Sequence, residues 1–230
     1  MSELPDIATP PQRSALYIAL RTAAILLAFT LVFTTLMASA YYLTAPRVAA
    51  SAQAEKLRLL AVVLAPSFYD NDLLNDAITL PPASALGTSE NTHLYRARKN
   101  GHPTALVFEA IAPDGYSGKI GLLLAVSNEG QLLALRVTQH KETPGLGDYI
   151  DPKKDRNKAR PWISQFSRIG FDRVPQAQWR VKKDGGHFDQ MAGATISARA
   201  VTNASGRALA WANANRDKLF ALPANSLYQE

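Results

Sequence analysis

The stretch Asp189-Gln190-Met191-Ala192-Gly193-Ala194-Thr195-Ile196-Ser197 sets small residues and hydroxyls directly before a helical pattern. A helix start carries unpaired backbone N–H groups and the positive end of the helix dipole. A phosphate placed there is stabilised, and Gly193 and Ala194 let the backbone approach it closely. The same hydroxyls have a plainer use, because Thr195 or Ser197 could simply cap the helix, and capping is common. Local chemistry leaves both readings open. A second unusual stretch, Glu142-Thr143-Pro144-Gly145-Leu146-Gly147, is too rich in Gly and Pro for a strand or helix interior.

Other chemistries lack their residues. The chain of 230 residues has no cysteine, which excludes disulfides, thiolate metal sites, iron–sulfur clusters and cysteine nucleophiles of its own. His93, His102, His140 and His187 show no metal-ligand spacing, so no metal site is expected. A nucleophile elbow, a Walker loop and a dinucleotide fingerprint are all missing. An exported hydrolase therefore has no nucleophile and base to work with.

The elements that must position these stretches are legible. Ile196, Ala200, Ala204, Ala208 and Trp211 recur at helical spacing, so a helix is predicted from Ser197 to about Phe220, stopped by Pro223. His93–Lys99, Ala105–Ile111, Lys119–Val126 and Gln131–Thr138 read as strands, with Asn128-Glu129-Gly130 as a hairpin turn. The runs GLLLAVS and LLALRVT suggest central strands covered on both faces or nearly so. Trp162–Phe166 reads as a short helix or edge segment, Trp179–Lys182 as a short strand, and 66–91 as a polar, turn-rich passage. The predicted class is α+β, with a mainly antiparallel sheet and packed helices.

No charge occurs between Arg21 and Arg47. As a helix, Thr22–Thr44 would extend about 35 Å against a hydrocarbon core of about 30 Å. A retained anchor is expected, although Ala38-Ser39-Ala40 also has the form of a signal-peptide cleavage site. Arg13 and Arg21 before the span are balanced by Arg47, Lys56 and Arg58 after it, so charge does not decide orientation. The short tail resembles a signal-anchor start, which favours the tail inside. Pro46–Ala65 reads as a helix emerging from the membrane, with Leu57, Leu60, Val63 and Leu64 on one face.

The net charge is +6, with a cluster at Lys153, Lys154, Arg156, Lys158 and Arg160. That cluster reads either as a solvated loop or as a surface for an acidic partner or anionic headgroups. Nucleic acid is not an expected partner, because no binding motif is present and no aromatics interleave with the basic residues.

The segment ending in Gly193-Ala194-Thr195 is similar to the flavinylation motif of FMN-binding domains, with Asp189 as the leading acid and Ala192 where the motif has Ser or Thr. The 142–147 loop and Gly115-Tyr116-Ser117-Gly118-Lys119-Ile120 resemble two further segments of that family, in the same order. The family includes the G subunit of Rnf electron-transport complexes and the C subunit of the sodium-translocating NADH:quinone reductase; the wording around Thr195 is nearer the former. The resemblance implies FMN joined by a phosphoester to Thr195, with Gly193, Ala194, Asp189, Ser197, Thr143, Gly145, Leu146 and Gly147 around it. In that picture the loop glycines let a planar ring approach the backbone, although a merely rigid turn fits the loop equally. The implied role is electron relay in a ferredoxin:NAD oxidoreductase complex that moves ions. The implied partners are the other subunits, a flavin transferase and membrane lipid. The implied place is the bacterial inner membrane, single-pass, with the C-terminal domain periplasmic. The matching layout is a cytoplasmic tail 1–21, a span 22–44, a membrane-proximal helix and connection 45–91, the FMN-binding domain 92–222 and a tail 223–230. A cofactor-free, signal-anchored binding or assembly module is the rival from another class.

Overall fold

The computed structural model describes residues 15–229, so the first fourteen residues of the expected cytoplasmic tail lie outside the described residues. Two compact units divide between Ala54 and Glu55.

The first unit is the bulk of one helix, α1, Ala15–Ala61. It is long and apolar enough to cross a membrane. Its threonines fit an apolar setting because Thr30, Thr35 and Thr44 donate to the carbonyls of Leu26, Leu31 and Ala40 at 2.7–2.8 Å. The span and the following helix, expected as separate pieces, are continuous through Pro46. Proline removes one helical hydrogen bond but does not forbid the next turn.

The second unit is built on a six-stranded antiparallel meander in chain order. The strands are β1 Ala77–Leu80, β2 Thr92–Lys99, β3 His102–Gly115, β4 Gly118–Ser127, β5 Gln131–Gln139 and β6 Ile169–Gly170. Tight turns carry the topology. Asn100 and Gly101, at φ 51° and 78°, join β2 to β3 as a two-residue hairpin loop. Asn128-Glu129-Gly130 joins β4 to β5 as expected. The α+β class is confirmed by this sheet and the long helix α2, Thr195–Ala221, which contacts β3, β4 and β5.

Several local expectations need correction. β1 arises within the passage read as turn-rich, because a four-residue strand is too short to show a period beside Pro81 and Pro82. Trp179–Lys182 is not a strand; Trp179 ends a single 3-10 turn, and Val181 forms one bridge to Phe188. β4 is buried on both faces as expected and β5 nearly so, with Leu132, Leu135 and Val137 against one cluster and Leu133 and Ala134 against the other. Of the four residues expected on one helix face, Leu60, Val63 and Leu64 are buried, but Leu57 stays 38% exposed.

One sheet face packs on α2. Small residues along the helix, among them Ala198, Ser205, Ala208 and Ala212, are fully buried there. Phe108 and Trp211 meet at 5.7 Å between ring centres. The other face, with Ala97, Ala105, Val107, Leu123 and Ala125, is covered by Leu60, Val63, Leu64 and Leu73. The end of α2 is tied to the sheet. Arg96 donates to the carbonyls of Leu219 and Leu222, Arg98 donates to that of Phe220, and both pair with Asp76. Its start is tied instead through Ser197, which donates to Glu142.

Candidate functional site

Helix α2 begins slightly earlier than predicted, which makes Thr195 its first residue. The capping position belongs to Ala194, at φ −129° and ψ 37°, and no side chain caps the helix. Neither capping reading from the sequence survives. Ser197 is buried and donates its hydroxyl to Glu142, and Thr195 Oγ1 has no hydrogen-bond partner among the described residues. The N–H groups of the first turn are thus left without a capping oxygen, beside a half-buried free hydroxyl.

Three segments meet around this start. Glu142, 3% exposed, accepts from Ser197 Oγ with one carboxylate oxygen and from Ser117 N at 3.0 Å with the other. It therefore clasps the β3–β4 turn, the 142–147 loop and the first turn of α2. The loop is closed on itself: the Thr143 carbonyl accepts from Leu146 N at 3.1 Å and Gly147 N at 3.0 Å. Gly147 has no room for a side chain, since an added Cβ would lie 2.8 Å from Ser197 Oγ. Gly193 has room, but its φ of +85° suits glycine alone.

The motif is held from behind by two aromatic residues. The Tyr149 hydroxyl accepts from Met191 N at 3.1 Å and donates to the Ala194 carbonyl at 3.4 Å. Burial pushes this phenol up to about 12, a rise opposed by the Met191 N–H and reinforced by Asp155. It is therefore a protonated donor at neutral pH. Trp162 packs edge-on against Tyr149 and donates its indole N–H to the Asp189 carbonyl at 2.6 Å.

Between these segments lies a pocket of about 110 Å³. Thr143, Leu146 and Gly147 form one wall, and Gly193, Ala194, Ile196 and Ser197 form the other, with Tyr116 at its edge. The 142–147 loop is thus both the rigid turn and the wall. Most of the residues predicted for a site come together here. Gly145 is on the loop at φ +74° but does not line the pocket. Thr195 sits between the lining residues Ala194 and Ile196 without lining it. Asp189 stands apart: its carboxylate pairs with Lys182 at 2.6 Å on the exposed surface, so only its backbone serves the motif.

Sequence reasoning missed Tyr116 and Ile196 in the lining, and Glu142 and Tyr149 as supports. Tyr116 had a signal, being the aromatic residue between two glycines of a hairpin. Glu142 had only its place as the acid at the head of a Gly-rich loop. Leu146, Ile196 and Tyr116 are 42%, 41% and 65% exposed, so they form an apolar rim at the mouth.

The pocket suits part of a flavin nucleotide. Ligand pockets usually enclose about 300–1,000 Å³, so this one would take only a portion of FMN. The free helix start fits its phosphate, and the apolar rim fits a ring edge. No cluster of His, Asp or Glu among the described residues is arranged to hold a metal ion.

The same region of the chain has known relatives. Residues 115–210 match the family model described as FMN-binding domain, and residues 16–63 match the RnfG N-terminal region. The chain is 40% identical over 197 residues to a Shewanella baltica protein named as the G subunit of an ion-translocating oxidoreductase complex, covering 86% of this chain and 91% of that one. It is 42% identical over 202 residues to a protein of the same name from Pseudomonas aeruginosa, covering 88% and 92%. A Photorhabdus laumondii protein of that name is 45% identical over 175 residues, covering 76% and 81%. With a matched N-terminal region, a matched FMN-binding domain and relatives aligned over most of their length, the chain belongs to the RnfG family, the G subunits of Rnf-type ion-translocating oxidoreductase complexes.

Proposed function

We propose that this chain relays electrons through FMN held covalently by a phosphoester to Thr195 Oγ1. The observation that carries the reading is the free Thr195 hydroxyl at an uncapped helix start, next to a pocket built from three separate segments. FMN, once attached, supplies one- and two-electron transfer at its ring. The chain's own residues attach, orient and shield it. The N–H groups at the start of α2 and the close approach at Gly193 and Ala194 suit the phosphate. Ser197, held by Glu142, lies on the same wall, and Thr143, Leu146 and Gly147 bound the space on the other side, with Gly145 turning their loop. Leu146, Ile196 and Tyr116 give the ring an apolar surface. Asp189 helps fix the motif loop through its backbone carbonyl, which accepts from Trp162.

The tether has a physical use. A cofactor bound covalently is held at high effective concentration where free FMN would diffuse away. No side chain at the site needs to act as an acid or base, so the enzyme is the assembled complex rather than this chain alone.

The wider reading follows the family. The complex passes electrons between ferredoxin and NAD and couples the transfer to ion movement. The chain spans the bacterial inner membrane once through residues 22–44, with 1–21 cytoplasmic and the C-terminal part periplasmic. Residues 45–91 connect the span to the sheet and supply β1, 92–222 form the rest of the FMN-binding domain, and 223–230 form the tail. A flavin transferase matures it, and the other subunits and lipid are its partners.

The test is a denaturing gel viewed under ultraviolet light, after co-expression with a flavin transferase. The wild-type band fluoresces, Thr195→Ser retains some signal and Thr195→Ala is dark. A Thr195→Ala band as bright as wild type refutes the attachment site, and a dark wild-type band refutes the covalent link.

A further inference from the structure

The loop 151–161 has a construction that its composition does not explain. Lys153, Lys154, Arg156, Lys158 and Arg160 are all exposed, and none forms an ion pair among the described residues. Five like charges this close repel one another, so the arrangement costs stability rather than adding to it. The two acids of the loop do not offset them at the surface. Asp155, 4% exposed, is turned inward and accepts from Asn157 N at 2.9 Å and Trp162 N at 2.5 Å. Asp151 accepts from Lys153 N at 2.9 Å.

These bonds make a frame. Asn157 in turn accepts from Arg160 N at 3.0 Å, and the Asp151 carbonyl accepts from Lys154 N and Asp155 N at 2.9 and 3.0 Å. The frame is also joined to the pocket. Arg156 donates to the Gly145 carbonyl at 3.4 Å, and Trp162, at the loop's end, holds Asp189. The loop that carries the charges is thus held in shape and joined through Arg156 to the loop that walls the pocket.

We infer that the face formed by Lys153, Lys154, Arg156, Lys158 and Arg160 is the docking surface for an acidic face of another redox-carrying protein of the complex. The inference rests on the relay reading above, since it supplies the contact across which electrons reach or leave this pocket. Complementary charge speeds encounter and sets register between two proteins. Anionic headgroups would need no frame, because flexible polybasic segments bind them as well. A framed loop adjoining the site matches a protein face better.

The intact complex, reconstituted in nanodiscs, tests this with Lys153→Glu/Lys154→Glu/Lys158→Glu and the milder Lys153→Gln/Lys154→Gln/Lys158→Gln. The protein-bound flavin is followed by absorbance after mixing with NADH, at low and high salt. Flavin on the gel should equal wild type in every variant. The Glu variant should slow flavin reduction about tenfold at low salt and the Gln variant less. Wild type should slow towards the variants as salt rises. Unchanged rates and salt dependence overturn the proposal. So does a defect seen in phosphatidylglycerol discs but absent from phosphatidylcholine discs, which would assign the charges to headgroups. If wild type itself carries no flavin, the relay reading fails separately. Docking is then read from the other subunits recovered with the tagged chain, where a several-fold loss in the Glu variant supports it and equal recovery overturns it.

Discussion

Ser197 Oγ donates a hydrogen bond to Glu142 Oε2, and this bond joins the first turn of α2 to the loop across the pocket. Both groups are buried, and the other carboxylate oxygen is taken by Ser117 N. Removing the acid therefore strands two donors at once. Glu142→Ala is expected to lower unfolding free energy by about 1–3 kcal/mol, with Glu142→Gln nearer wild type. Denaturant unfolding of the detergent-solubilised chain measures this, and flavin fluorescence should fall in the same order.

Gly147 and Gly193 should fail for different reasons. Gly147→Ala pushes a Cβ to 2.8 Å from Ser197 Oγ, whereas Gly193→Ala meets only Leu146 Cδ1 at 3.5 Å but must hold a positive φ. The strain at Gly193 is worth about 1–2 kcal/mol. Double-mutant cycles with Ser197→Ala separate the two: Gly147→Ala should be non-additive, Gly193→Ala close to additive.

Thr195→Ala separates attachment from capping. A lost cap costs about 1 kcal/mol. Thr195 makes no capping bond, so the flavin-free variant should unfold within about 0.5 kcal/mol of flavin-free wild type. A larger loss would show that the hydroxyl supports the helix.

Tyr149 predicts a specific alkaline transition. Its phenol is raised from 10.0 to about 12 in the folded chain, chiefly by burial. The folded state thus holds this proton more tightly than the unfolded state. The stabilisation is complete below pH about 10 and is lost as pH rises towards about 12, by about 2–3 kcal/mol in all. Tyr149→Phe should remove this component of the pH dependence. It should also loosen the 191–194 loop, because Met191 N and the Ala194 carbonyl lose their shared partner. Unfolding measured between pH 9 and about 12 tests the sign.

Much of this was readable from residue order. The apolar run of α1, the four longer strands, the Asn128-Glu129-Gly130 turn and α2 all show in local pattern, because each extends over enough residues to display its period. β1 and β6 do not, at four and two residues. Trp179–Lys182 misled because an aromatic residue and a valine imitate a strand, whereas Pro175 and Gly185-Gly186 force turns around them.

The sequence by itself determined that a hydroxyl would stand at the start of the last helix, among residues small enough for a phosphate. Spacing and residue type are local properties, so they need no fold to be read. Only the tertiary structure decided which hydroxyl is free. Ser197 is consumed by Glu142, a residue 55 positions away in the chain, and Ala194 takes the cap position that either hydroxyl could have held. It also decided that Asp189 faces Lys182 rather than the pocket. These outcomes depend on long-range packing, which no local pattern encodes. Thr195 is left with an unpartnered hydroxyl because no side chain caps the helix it begins and Glu142 takes the hydroxyl of Ser197 instead.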